Sequence, residues 1–278
     1  MDSAFFLPEP DRAGRFHPTQ ATVGPWSPHT QHGGPPIALL AQALADHPSS
    51  APMDLGRITV EFMGPVPLDT CDVQVQVLRP GKRVELLQAQ YSVQGKPVLT
   101  AQAWRLAREP GICPAVADPF RVPPLPAEEC LRFFPGTDGF PYGRALEWRF
   151  AEGGFDTLGP ATVWARLRIP LVQGRPTSGL AGMMTMLDSA NGISAELAFQ
   201  DWSFVPVDQT LNLYRMPIGP WYGMAARTII NDGGIGTTTT TVFDAQGPVG
   251  LSLHTLFVRP KHPPAAVRSS TPRPGEAT

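Results

Sequence analysis

The sequence predicts an α+β protein in which one helix followed by an antiparallel meander of strands occurs twice. Thr59-Val60 and Pro97-Val98 reappear as Thr210-Leu211 and Pro248-Val249, each pair 151 residues further along the chain. A period this long exceeds the repeat lengths of solenoids, so it indicates a duplicated domain. Glycine and proline contribute 27 and 33 of the 278 residues, which favours short strands joined by many turns.

The first helix is predicted in the apolar segment that follows Pro36. Proline is tolerated in a first helical turn, and Ile37, Leu40 and Leu44 recur at helical spacing before His47-Pro48 ends the pattern. The helix is apolar nearly all round, so we expect the sheet to bury it. Four strands with alternating apolar residues follow it, at 58–62, 73–77, 84–93 and 98–106.

The rest of the chain predicts a linker, a second module and a tail. A second helix is expected near 180–191, within a further set of strands. These strands are expected at 146–150, 162–169, 210–214, 222–230, 237–243 and 249–258. The predicted division is an N-terminal module at 1–107, a Pro-rich surface linker at 108–145, a C-terminal module at 146–259 and a disordered tail at 260–278.

Composition excludes several classes of protein. The net charge of −2 and the pI near 6.3 provide no basic surface for nucleic acid, and no apolar run is long enough to span a membrane. Three cysteines without metal-like spacing and the lack of an evident signal peptide predict a cytoplasmic protein. Charged residues make up only 17% of the chain, so much of the surface is expected to be covered in a homo-oligomer.

Three segments carry a resemblance to a known family. GPWSPHTQHGGPPIALLAQAL (24–44), VWARLRIPL (163–171) followed by LDSANG, and the final LHTLFVRP resemble the acyl-CoA thioesterase-like proteins. The resemblance covers roughly residues 25–260. It implies a double hot-dog fold, in which two antiparallel sheets are each wrapped around a central helix. This fold is similar to that of the type II acyl-CoA thioesterases.

The resemblance also implies three catalytic positions. In the type II enzymes an aspartate on the second helix, a hydroxyl residue and a glutamine position the hydrolytic water. The aspartate corresponds to Asp188, and His254 stands where the family has glutamine. The hydroxyl position falls near Pro206, so Thr210, the next hydroxyl on that strand, is the candidate. Two of the three positions therefore depart from the family pattern.

Substrate-binding residues are expected around the two helices. His32, Gly33 and Gly34 precede the first helix, where glycine permits close approach and free amides attract an anionic oxygen. Trp26 lies in the same loop. Met184, on the helix face that also carries Asp188, could line an acyl tunnel because its thioether is flexible.

These residues favour hydrolysis of acyl thioesters, on acyl-CoA or an acyl-carrier protein, as a step of lipid metabolism. No metal or other cofactor is implied. The sequence lacks the G-x-S-x-G motif of serine hydrolases and the G-x-G-x-x-G motif of dinucleotide-binding proteins. Two alternatives stay open: a non-catalytic acyl-thioester-binding protein, and a dehydratase or biosynthetic enzyme on the same scaffold.

Overall fold

The computed structural model describes residues 2–134 and 139–262, and most of the predicted tail lies outside them. The N-terminal half contains one long helix and six strands. They are β1 (Phe6–Pro8), β2 (Arg15–Pro18), α1 (Gly34–Asp46), β3 (Met53–Phe62), β4 (Cys71–Arg79), β5 (Val84–Val93) and β6 (Lys96–Ala107).

The C-terminal half contains three helices and six strands. They are α2 (Pro141–Arg144), β7 (Leu146–Glu152), β8 (Ala161–Leu167), α3 (Gly179–Leu187), α4 (Ala190–Ile193), β9 (Trp202–Leu213), β10 (Tyr222–Ile230), β11 (Ile235–Asp244) and β12 (Gly247–Pro260). All the predicted strands are present, and β1 and β2 were not predicted.

All these strands form one sheet with the order β1-β2-β4-β5-β6-β3-β9-β12-β11-β10-β8-β7, in which every neighbouring pair is antiparallel. The two halves meet where β3 pairs with β9, and Thr59 lies directly opposite Thr210 there. The helices α1 and α3 and the inner face of this sheet enclose the main hydrophobic core.

The two long helices pack against each other in opposite directions. Gly34, the first residue of α1, lies so close to the end of α3 that a Cβ there would come within 2.1 Å of the Thr185 carbonyl oxygen. At the other end, the amide of Ser178 donates to Oε1 of Gln42. The absence of a side chain at Gly34 is therefore a packing requirement, and it brings the beginning of α1 next to the end of α3.

The helix α3, which the sequence predicted near 180–191, is shorter than expected. It ends at Leu187 with Asp188 as its C-cap, and the chain resumes a helical turn only at Ala190. Between the two helices the amide of Ser189 donates to the carbonyl of Met186, three residues back, and the regular bonding resumes from Ile193 to Ser189. Because of this break, Asp188 lies at a helix terminus rather than within an unbroken helix.

The segment predicted as a surface linker is partly buried. Its first part is irregular and largely exposed, but Phe140 and Tyr142 are buried in the main core. The amide of Tyr142 donates to the carbonyl of Val23, which ties the segment to the N-terminal half. The aromatic side chains make this possible, because they bury enough apolar surface to hold an otherwise irregular backbone.

In the described parts of the chain, no helix is long and apolar enough to cross a membrane.

Candidate active site

Asp188 lies where the beginning of α1 meets the end of α3. Its side chain is 7% exposed, and Oδ2 lies 3.1 Å from Nδ1 of His32. Gly33 is so close that a Cβ on it would come within 2.7 Å of the same oxygen. The other carboxylate oxygen, Oδ1, is buried and has no hydrogen-bond partner among the described residues. A buried acceptor without a partner is costly, which marks this oxygen as a functional candidate.

His32 is held in a fixed orientation by its neighbours. Its ring stacks on that of Tyr142, with a centroid separation of 3.8 Å and an interplanar angle of 7°. The amide of Gly34 donates to Nδ1 of His32 over 3.1 Å. The hydroxyl of Tyr142 donates to the carbonyl of Thr185 and lies 2.9 Å from Oγ of Ser189, so the stacking partner is itself anchored to α3.

Burial changes the ionisation of both groups. It lowers the pKa of His32 to about 3, so the imidazole is neutral and Nδ1 is free to accept. Burial also raises the pKa of Asp188 to about 7, although the amides of Gly33 and Gly34 stabilise its charge and oppose that shift. At neutral pH the two residues are therefore a neutral histidine beside a carboxyl group near its titration midpoint, rather than an ion pair. A carboxylate poised in this range can accept a proton as a general base.

Two cavities converge on Asp188. The larger is a cleft of about 470 Å³, mostly apolar, whose walls are formed by residues 30–33, residues 62–66 and the start of β9. The smaller is a recess of about 40 Å³, whose lining includes Phe140, Phe155 and Asn191. Trp26, which is 46% exposed, borders both cavities. The Asp188 carboxyl group thus lies between an open cleft and a confined aromatic recess.

Most of the expected substrate-binding residues gather at this site. Trp26, His32 and Gly33 line the cleft with Asp188, and Gly34 contacts His32 from the first turn of α1. Met184 is different, since it is fully buried on α3 and its sulfur accepts from Nε2 of Gln209.

His254 is fully buried on β12, directly opposite Gln209 of β9. Its Nε2 lies 2.9 Å from Oε1 of Gln209, which can only accept, so Nε2 carries the proton. Nδ1 is then an acceptor, and it has no partner in the described structure. Burial lowers the pKa of His254 to about 4, so this histidine is also neutral.

Thr210 does not join this group. Its neighbours Gln209 and Leu211 are fully buried on the face that packs against the helices, so alternation directs Thr210 to the opposite face of the sheet. There its hydroxyl lies 3.1 Å from that of Thr59. The expectation that Thr210 assists Asp188 is therefore corrected, and the polar side chain of β9 on the helix side is Gln209.

Sequence reasoning missed Gln209 because it began this strand at Thr210. Pro206 lowers the strand propensity of the preceding segment, but it lies at a bulge, where the register between β9 and β12 shifts. The pairing of β9 with β3 extends only to Asp208, so the missing amide hydrogen of Pro206 disrupts no ladder on that side. The period-two spacing of Gln209, Leu211 and Leu213 was the available signal.

Tyr142 was missed because it falls in the segment interpreted as a linker. The sequence PYGRALEW contains a proline at a possible first helical position and three large apolar residues, which was a usable helix and core signal.

Within residues 2–134 and 139–262, no group of three or more His, Cys, Asp or Glu residues is arranged to hold a metal ion.

Comparison with protein families identifies both halves of the chain. The model of the acyl-CoA thioesterase N-terminal domain matches residues 22–106, and the model of the acyl-CoA thioesterase C-terminal domain matches residues 121–258. No curated protein sequence is measurably similar to the chain.

Solved structures support the fold. A hot-dog protein of unknown function from Alicyclobacillus acidocaldarius superposes with a TM-score of 0.69 at 18% identity, over 91% of this chain and 95% of its own. A putative thioesterase from Novosphingobium aromaticivorans gives 0.69 at 19% identity, with 91% and 98% covered. The acyl-CoA thioesterase II TesB2 of Mycobacterium marinum gives 0.63 at 14% identity, with 91% and 95% covered. At such identities the likeness establishes the hot-dog fold alone.

Proposed function

This chain belongs to the acyl-CoA thioesterase family, and from that premise we propose that it hydrolyses acyl thioesters with Asp188 as the general base. The observation that carries the assignment is the carboxyl group itself. It is buried at the junction of an apolar cleft and a small recess, one of its oxygens has no partner, and its pKa is raised to about 7. Membership of the acyl-CoA thioesterase family makes the protein a thioester hydrolase, whereas the roles of Asp188 and the surrounding residues are our proposal.

In the proposed reaction, ionised Asp188 accepts a proton from a water molecule as the water oxygen attacks the thioester carbonyl carbon. Negative charge then develops on the carbonyl oxygen. That charge develops beside the N terminus of α1, where the helix dipole favours an anion, and we propose that this dipole stabilises it. As the C–S bond breaks, the proton held by Asp188 passes to the departing thiolate, and the products are a free acid and a thiol.

Neutral His32 has a positioning role in this scheme. Its Nδ1 accepts from the amide of Gly34 and lies 3.1 Å from Oδ2 of Asp188, which can donate to it once the carboxyl group has taken up a proton. His32 thus positions the carboxyl group without being a cationic partner. A cationic partner would lower the pKa of the carboxyl group and weaken it as a base. Stacking on Tyr142 keeps the ring in that position.

We assign Gln209 and His254 to water orientation, in place of the hydroxyl residue and glutamine that the resemblance implied. Gln209 contacts Met184, which is one helical turn before Asp188, and this contact links the pair to α3. The unpartnered Nδ1 of His254 can accept from a water molecule, and the Gln209 contact keeps the required tautomer. In this scheme the buried side chain of Met184 is the part of α3 that packs against Gln209.

The two cavities suggest how a substrate is placed. The thiol-side arm of an acyl thioester must extend to a large head group in solvent, so it is assigned to the open cleft of about 470 Å³. The recess of about 40 Å³ admits only a small part of an acyl group, and longer chains would share the cleft beside Trp26. Either acyl-CoA or an acyl-carrier protein could supply such an arm.

We also propose that the two halves arose by internal duplication, with modules at 1–107 and 146–259 joined by 108–145. Three observations support this. The bounds of β4 and β10 differ by 151 residues at both ends, and so do those of β5 and β11. The strands β3 and β9 also end 151 residues apart. Each module thus provides one long helix and one half of the shared sheet.

Thiol release tests the proposed activity directly. Purified protein is incubated with acyl-CoA thioesters of increasing chain length, and free thiol is measured. We expect saturable hydrolysis that is lost in Asp188→Asn. Saturable binding of acyl-CoA without any thiol release would instead support a binding protein.

A further inference from the structure

Gln31 is a buried polar residue in the wall of the cleft, immediately before His32. It is 5% exposed, and its backbone amide donates to the carbonyl of Val66, which joins the two loops that form that wall. Gln31 and Asp188 are both among the residues that line the cleft. Neither the resemblance nor the proposed reaction gives this residue a role.

The orientation of the Gln31 amide is determined by its partners. Nε2 lies 2.7 Å from the carbonyl oxygen of Pro67 and 2.9 Å from the hydroxyl of Tyr91. A carbonyl oxygen can only accept, so the atom that faces Pro67 must be the nitrogen, and both of its hydrogens are used. The amide therefore cannot be flipped without breaking the contact with Pro67.

This orientation leaves Oε1 of Gln31 as a buried acceptor without a partner in the described parts of the chain. A buried acceptor without a partner destabilises the protein, so a bound group that donates to it would restore the missing bond. Asp188 Oδ1, the proposed proton acceptor, has the same status beside the same cleft. Both oxygens belong to residues that line this cleft. The attacking water is the proposed partner of the Asp188 oxygen, which leaves a group of the substrate as the candidate partner of Gln31 Oε1.

We propose that Gln31 Oε1 accepts a hydrogen bond from the amide N–H on the thiol side of the substrate. The inference rests on the proposed function and specifies the thiol that the cleft recognises. In thioesters of coenzyme A and of phosphopantetheine the sulfur is joined by a two-carbon spacer to an amide N–H. The amide N–H is therefore only a few bonds from the thioester carbonyl that Asp188 faces in the proposed reaction. Gln31 is adjacent in the chain to His32, whose ring contacts Asp188, so it is a suitable acceptor for this N–H. Gln31 would thus distinguish pantetheine-type thiols from simple alkyl thiols.

Two thioesters with the same acyl group test this contact. One is made from N-acetylcysteamine, which keeps the amide N–H, and the other from 1-butanethiol, which lacks it. We expect Gln31→Met to lower kcat/KM for the first by about three- to tenfold, the range that one neutral hydrogen bond supplies. Hydrolysis of the butanethiol ester should change by less than about twofold, so the variant loses the preference of the wild type.

The matched control is Gln88→Met on β5, a glutamine whose partner is Gln76 on the exposed surface of the sheet. It should leave both rates unchanged. If Gln31→Met proves too unstable to assay, Tyr91→Phe removes one of the two groups that orient the amide, and it should reduce the same preference by a smaller factor. Equal losses on both esters in these variants, or no loss on either, would overturn the proposal.

A binding measurement separates this inference from the proposed activity. S-hexyl coenzyme A is a thioether that cannot be hydrolysed, and its dissociation constant is measured by calorimetry. We expect binding to Gln31→Met to be about three- to tenfold weaker than to the wild type. If the wild type hydrolyses neither ester but this weakening is observed, the recognition of the thiol arm stands and the hydrolytic assignment fails. Equal affinity in both proteins would contradict the contact.

Discussion

Thr59 and Thr210 lie directly opposite each other at the centre of the sheet, with their hydroxyl oxygens 3.1 Å apart and 151 residues between them in the chain. That separation equals the offset between β4 and β10 and between β5 and β11. Under the proposed duplication, each threonine pairs with its counterpart in the other half. The antiparallel contact between β3 and β9 then has a local two-fold relationship at this pair.

The same offset reveals a chemical difference between the halves. Ile58 and Ala103 occupy the positions that correspond to Gln209 and His254, and all four are fully buried. The inner face of the sheet is thus apolar at these positions in the N-terminal half and polar in the C-terminal half. With Gly33 at the start of α1 and Asp188 at the end of α3, each half contributes a different part of the proposed site.

The placement of Thr210 and Gln209 on opposite faces predicts different effects of substitution. Thr210→Val removes only a partly buried hydroxyl contact, so we expect hydrolysis within about twofold of the wild type and a loss of about 0.5–1.5 kcal/mol in the free energy of unfolding. Gln209→Leu deprives His254 of the partner that sets its tautomer, so we expect kcat to fall by at least about tenfold. Thiol release and chemical denaturation measure both effects.

A comparable loss of kcat in the two variants would contradict this assignment, because it would mean that the outer face also affects the reaction. A loss of kcat in Thr210→Val alone would support the catalytic role that the sequence suggested for Thr210. His254→Phe provides a further check, since it should lower kcat as Gln209→Leu does if the two residues act together on one water molecule.

The sequence predicted the strands well because their alternation and turn residues are local signals. It placed Asp188 on the second helix but not at its terminus, since the break that makes it a C-cap depends on contacts with the start of α1. Gln209 and Tyr142 were missed because one follows a proline in a bulged strand and the other belongs to a segment buried only by distant aromatic residues. Both depend on tertiary packing, which local patterns do not encode.

The raised pKa of Asp188 predicts the pH dependence of hydrolysis. A general base must be ionised, so kcat/KM should rise about tenfold per pH unit below the pKa and reach a plateau above it, with a midpoint near pH 7. His32 and His254, with pKa values of about 3 and 4, should contribute no transition between pH 5 and 9. A midpoint near pH 4 would show that Asp188 is not desolvated in solution.

The two glycines before α1 predict separable effects on activity and stability. In Gly33→Ala the new Cβ meets the Asp188 carboxylate and the ring of Phe62, which can shift, so the protein should fold but lose at least about tenfold in kcat/KM. In Gly34→Ala the Cβ meets the backbone carbonyl of Thr185, so the helices must separate and stability should fall by about 1–3 kcal/mol. Thermal unfolding and thiol release distinguish the two variants, and a larger loss of stability in Gly33→Ala would contradict this reasoning.

The outer face of the C-terminal half predicts self-association. Leu251, Leu253 and Phe257 of β12 are each about half exposed. Ile235, opposite Phe257 on β11, and Ile229, on β10 beyond it, extend the patch. Such a patch is unusual on a monomer. We expect light scattering at micromolar concentration to detect a homo-oligomer that is weakened in the double variant Leu251→Glu, Leu253→Glu. A monomeric wild type would exclude the prediction.

Asp188→Asn tests the mechanism most directly, because it keeps the size of the side chain and removes its basicity. General-base catalysis typically contributes about 10²–10⁴-fold, so kcat should fall by at least about 100-fold, measured by thiol release. Binding of a non-hydrolysable thioether of coenzyme A should persist. Hydrolysis within about threefold of the wild type would make Asp188 a structural residue.

The same variant should change how stability depends on pH. Burial raises the pKa of Asp188 from 3.8 to about 7, so the folded protein holds this proton more tightly than the unfolded chain does. The resulting stabilisation is fully present below about pH 4 and is lost as the pH rises through 7. At about 1.4 kcal/mol per pKa unit, the loss is at most about 4 kcal/mol. Asparagine cannot ionise, so the melting temperature of Asp188→Asn relative to the wild type should increase between pH 4 and 7 and then level off. A difference that does not depend on pH would mean that the folded protein does not bind this proton more tightly, and Asp188 would then be too weak a base near neutral pH for the role assigned to it.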